Sequence, residues 1–163
     1  MPQSLDEKRE FLRHTVATLA YRGRKALVGV GPEFGAAKFQ PGCRAPLEIL
    51  AHVGDLLDWA LSLCRGRGLW QDSVPKSWNE EVVRFFAALQ TLDAFLASDR
   101  PLGCPTERLF QGPIADALTH IGQIAMCRRL TGALPVRGEN YFVAEIKAGQ
   151  VGLRQEAPLK EFD

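Results

Sequence analysis

Apolar residues recur at steps of three and four along four stretches of this chain, and polar or turn-forming residues separate them. The first stretch opens on Ser4-Leu5-Asp6-Glu7, which has the form of a capping box, and predicts a helix over about 5–27. A connection rich in glycine and proline follows, including Gly31-Pro32 and Pro41-Gly42. Pro46 suits the first turn of a second helix, predicted over about 46–64 and ended by Gly66 and Gly68. Ser77-Trp78-Asn79-Glu80 is another capping box, and Val82, Phe85, Phe86, Leu89, Leu92 and Leu96 carry a third helix over about 77–97. Pro101, Gly103, Pro105 and Gly112 break the chain, with at most one helical turn around Glu107 to Phe110. Pro113 then reads as the start of a fourth helix, about 113–131, with Gly132 as its C-terminal cap. The remainder reads as a short helix or extended tail packed on the others.

Four amphipathic helices without comparable strand-like alternation predict an all-α fold, a four-helix bundle with long crossover loops, in one domain spanning 1–163. On a helical wheel the second helix has two apolar arcs. His52 shares one with Ile49, Leu56, Trp59 and Leu63, while Leu50, Gly54, Leu57 and Leu61 form the other. A single core covers one arc, so the second is expected to meet either a partner subunit, in a homodimer, or the long loop carrying Phe34 and Phe39.

Composition narrows the function. Twenty basic and nineteen acidic residues leave a formal charge of +1, which argues against nucleic acid or an anionic membrane as partner. The N-terminus is charged where a secretion signal needs an apolar run, and no apolar run reaches membrane-spanning length, so a cytoplasmic location is expected. Cys43, Cys64, Cys104 and Cys127 are widely spaced without a C-x-x-C pair, and they read as packed thiols rather than a disulfide framework or zinc knuckle. Gly29 to Gly35 is no phosphate loop, because no strand precedes it and Pro32 removes a backbone donor. Two small basic runs, Arg22-Gly23-Arg24-Lys25 and Arg65-Gly66-Arg67, read as solvated surface.

Among the histidines, His14 lies beside Glu10 and Arg13 and reads as solvated. His52 and His120 lie in apolar surroundings, where an imidazole must be hydrogen-bonded or ligated. Asp116 precedes His120 by one helical turn, so both side chains converge on one point. One rigid helix presenting a carboxylate and an imidazole is an arrangement that metal sites use. The bland alternative is an aspartate favoured by the helix dipole beside a hydrogen-bonded core histidine.

The segments Pro46-Leu-Glu-Ile-Leu-Ala-His52-Val-Gly-Asp55 and Asp116-Ala-Leu-Thr-His120-Ile-Gly-Gln123-Ile resemble the DinB-like family of metal-binding four-helix bundles over roughly residues 5–131. The resemblance implies a second-helix ligand at His52 and a final ligand at His120. The family's remaining histidine is replaced by Asp116, a carboxylate able to bind the same divalent ions. Two readings follow. In one, His52, Asp116 and His120 hold zinc, nickel, iron or manganese, which activates a water or thiol for a small-molecule or thiol substrate; characterised members of the family include thiol-dependent isomerases and S-transferases. In the other, the chain is a non-catalytic dimeric binding or scaffold protein with a degenerate site. Glu139, Asn140 and Tyr141 could fold back over the site as a lid, or pack with Phe142 on a bundle end.

Overall fold

Local signals place the helices. The computed structural model describes residues 5–162, so the capping box at Ser4 lies outside the described residues. Helix α1, Leu5–Leu27, buries the periodic set Leu12, Val16, Leu19, Ala20 and Leu27. Helix α2 is one turn, Pro32–Gly35, opened by proline within the glycine-rich connection. Helix α3, Pro46–Cys64, starts after an extended Ala45, whose N–H donates to Glu48 Oε2 at 2.6 Å. Helix α4, Trp78–Ala97, begins with the expected box: Ser77 N–H donates to Glu80 Oε2 at 3.0 Å, and Glu80 N–H to Ser77 Oγ at 3.3 Å. These reciprocal bonds satisfy donors that a helix start otherwise leaves unpaired.

The fourth helix departs from expectation. Pro113 does not open it but lies inside a π-helical segment, Phe110–Ile114, which joins α5, Thr106–Leu109, to α6, Ala115–Leu130. Proline lacks an N–H and its ring crowds the carbonyl four residues back, and the wider π turn relieves both conflicts. Tertiary packing favours this continuation. Leu109 and Ile114, on either side of the segment, are each fully buried. Gly132, at φ 70°, takes the left-handed conformation after the last turn, as the sequence predicts.

The long helices enclose one apolar cluster to which α1, α3, α4 and α6 all contribute. Helix α3 packs on α4 and α6, and α1 packs on the same two from the other side. The fold is therefore mostly helical. Much of both arcs of α3 is buried within the chain: Ile49 and Leu56 on one, Leu50, Gly54 and Leu57 on the other. The 28–45 connection closes over one end, where Phe34 meets Trp78 edge-to-face at 5.4 Å. Trp59, Leu61 and Leu63 of the two arcs stay partly exposed.

The tail is extended. Strands β1, Gly138–Glu139, and β2, Glu161–Phe162, pair antiparallel. No helix among the described residues is long and apolar enough to cross a membrane.

Candidate metal centre

Helix α3 contributes His52 and helix α6 contributes Asp116 and His120. The interface between the two helices brings all three together. One ligand atom from each residue lies within 4.8 Å of the other two. His52 Nε2 stands 3.9 Å from Asp116 Oδ2, and His120 Nδ1 stands 3.2 Å from Asp116 Oδ1. The imidazole rings approach edge-to-face at 4.7 Å. Two ligand atoms around a tetrahedral ion with bonds of 2.0–2.1 Å are roughly 3.3 Å apart, so the 3.9 Å between His52 Nε2 and Asp116 Oδ2 is of the right scale for a shared ion.

Hydrogen bonding sets the tautomer of His120. Its Nδ1 is 2.8 Å from the Asp116 carbonyl oxygen, which only accepts, so Nδ1 donates there and Nε2 is the nitrogen left for a metal. A backbone carbonyl bonded to one imidazole nitrogen is the usual way to orient the other as a ligand. His52 is held neutral. Burial lowers its pKa, and the nearby His120 and Arg44 charges add to the effect against weaker opposing pulls from Asp116 and Asp55. A neutral imidazole is the form that binds metal. Two imidazoles and one carboxylate give the cluster a donor set suited to a divalent cation.

The surroundings are aromatic on one side. Trp70, in the 65–77 connection, packs edge-to-face on His52 at 5.7 Å and on Trp59 of α3 at 5.8 Å. Trp59 and Asp116 also line a shallow pocket with Gly112 and Thr119. On the other side His120 opens onto a larger cavity along α6. Sequence reasoning missed Trp70, although a tryptophan in a connection of mostly polar and turn-forming residues was a usable signal. It also passed over Arg44, for which no local pattern exists.

Other expectations fare differently. His14 is exposed, in keeping with a solvated face. Glu139 and Tyr141 form no lid on the centre: Glu139 accepts from Tyr21 and Lys25, and Tyr141 packs on Tyr21 and lies under Arg22. All of these partners belong to α1. The first basic run is correspondingly employed, with Lys25 paired to Glu139 at 2.7 Å and Arg24 donating to the Leu153 carbonyl at 2.8 Å, whereas Arg65 and Arg67 are exposed. Phe142 does not pack and is 96% exposed. All four cysteines are free thiols; burial raises Cys64 to about 12 and also lifts Cys104 and Cys127, which keeps these three protonated.

Compared with known proteins, the chain matches no family model, no curated protein and no solved structure.

Proposed function

We propose that this chain is a metal-dependent enzyme built on a DinB-like four-helix bundle, with His52, Asp116 and His120 holding one divalent cation. The observation that carries this reading is the mutual 4.8 Å proximity of the three ligand atoms across the α3–α6 interface. Zinc, nickel, iron and manganese all accept two imidazoles and one carboxylate. Bound there, such an ion supplies Lewis acidity, which makes a water or thiol nucleophilic near neutral pH.

The chain's own residues prepare the centre. The Asp116 carbonyl fixes the His120 ring through Nδ1, and burial beside Trp70 keeps His52 unprotonated. Asp116, whose side chain is 47% exposed, leaves the centre open to solvent and to a small molecule. The resemblance of the His52 and His120 segments to the DinB-like family extends the reading to thiol chemistry.

Metal content of the untagged full chain tests the proposal. The expected result is one divalent ion per chain, with Asp116→Ala weakening affinity and Asp116→His, which restores the family's third histidine, strengthening it. Absence of stoichiometric metal after zinc, nickel, iron and manganese are each supplied would favour the non-catalytic reading, in which the His120–Asp116 contact is merely structural.

A further inference from the structure

His120 lines a cavity of about 750 Å³ that runs along α6 beneath the 39–44 stretch. Small-molecule sites commonly span about 300–1,000 Å³, so this one is large enough for a ligand rather than a single water. Its wall is chemically one-sided. Phe39, Ile49, Met126 and Leu130 supply apolar surface, and methionine adapts its shape to what it meets. Arg44 is the cation of the wall, and no carboxylate lines it. Among the described residues the Arg44 guanidinium has no hydrogen-bond or ion-pair partner.

We propose that this cavity binds an amphiphilic small-molecule carboxylate, its carboxylate paired with Arg44, its apolar body on Phe39, Ile49 and Met126, and one end reaching His120. The assignment rests on the reading of the three-residue centre as the reacting site and names the class of molecule presented to it. The physical reason is complementarity. A planar guanidinium takes a carboxylate in a two-pronged, charge-assisted bond, and an acid-free wall imposes no repulsion on that anion. Apolar lining then rewards a hydrocarbon body and disfavours small hydrophilic anions.

Calorimetric titration of octanoate, octan-1-ol and octylamine into the full chain, first metal-free and then zinc-loaded, tests this. Octanoate should bind more tightly than the alcohol or the amine. Arg44→Gln should weaken octanoate roughly tenfold, the scale of a lost bond to a charged group, and leave octan-1-ol unchanged. Because Arg44 is exposed and unpartnered, this variant is expected to fold like the parent. Equal affinities for octanoate and octan-1-ol, or octanoate binding indifferent to Arg44→Gln, would overturn the proposal. Zinc binding is measured separately. If zinc binds but octanoate ignores Arg44, the carboxylate cavity is wrong and the metal centre stands; if octanoate binds through Arg44 but zinc does not bind, the cavity stands and the metal reading falls.

Discussion

His52 and Asp55 stand one turn apart on α3, yet the polar clusters around them are built in opposite ways. Asp55 belongs to a saturated network. Arg84 of α4 donates to Asp55 Oδ1 and to Asp58 Oδ2, each at 2.7 Å, and to Glu81 Oε2 at 3.4 Å. Backbone donors fill what remains, Ser73 N–H on Asp55 at 3.1 Å and Lys76 N–H on Glu81 at 3.0 Å. Burial opposes the Arg84 charge, but its bonds to Asp55 and Asp58 and their Coulomb attraction outweigh that cost and raise its pKa. Around His52 the balance is different: the facing Asp116 carboxylate stands 3.9 Å away, beyond hydrogen-bond length, and is half exposed. A network with every group satisfied holds helices together. A cluster with open lone pairs can take a ligand.

The largest effect that would break this contrast is on stability. Arg84→Met should destabilise the fold by about 3–5 kcal/mol, because Asp55 and Glu81, with side chains only 6% and 1% exposed, would lose their counter-charge. His120→Ala should cost much less in the same urea titration. Comparable losses from the two variants would erase the distinction between the clusters. On metal affinity the order reverses: His120→Ala should lower zinc affinity roughly a hundredfold or more, and Arg84→Met, judged only where it remains folded, should leave it nearly unchanged.

A smaller test addresses how tightly the saturated cluster is fitted. Gly54 lies under the Arg84 guanidinium, and a β-carbon there would sit 2.7 Å from Nη1 and 2.8 Å from Cζ. Alanine normally gains about 1 kcal/mol over glycine inside a helix. Overpacking costs about 1–3 kcal/mol, and this guanidinium is pinned by three carboxylates and cannot swing aside cheaply. Gly54→Ala should therefore be destabilising by about 1 kcal/mol in thermal or urea unfolding, where a stabilised variant would show the cluster to be loose.

The two clusters were not equally legible in the sequence. Asp116 and His120 announce themselves because one helix sets their spacing, and a resemblance supplied His52 as the partner from another helix. The helices α1, α3 and α4 were legible for a similar reason, since caps and three-to-four periodicity are local. Arg84 met Asp55 through the register of α4 on α3, which no short-range pattern encodes. Pro113 misled by obeying a local rule that packing overrode, the burial of Leu109 and Ile114 carrying the helix through it. For Glu139 and Tyr141 chain proximity to α6 leaves a lid over the centre and packing on a bundle end equally open, and the choice falls to the Tyr21 hydroxyl and Lys25 ammonium of α1, the polar partners that a buried Glu139 requires.

The finest discrimination comes from pH. Burial, with His120 and Arg44 assisting, places the folded-state pKa of His52 below its ordinary value of 6.5. As pH falls, the unfolded chain therefore takes up this proton before the folded chain does. The unfolded state binds more protons across that window, so stability rises with pH through it. His52's contribution is fully present above 6.5 and is lost as pH drops through the folded value. Replacing the imidazole with an amide, His52→Gln, should flatten the stability profile on the acid side of 6.5 relative to the parent. Arg84 keeps its charge throughout this range, so a variant of the saturated cluster should shift the whole profile without changing its slope there. Zinc affinity should fall over the same acid window, because proton and metal compete for one lone pair. Unfolding midpoints measured at closely spaced pH values for the parent, His52→Gln and Gly54→Ala check the point: parallel profiles for the parent and His52→Gln would mean that His52 titrates alike in both states and that burial does not hold it neutral for a ligand.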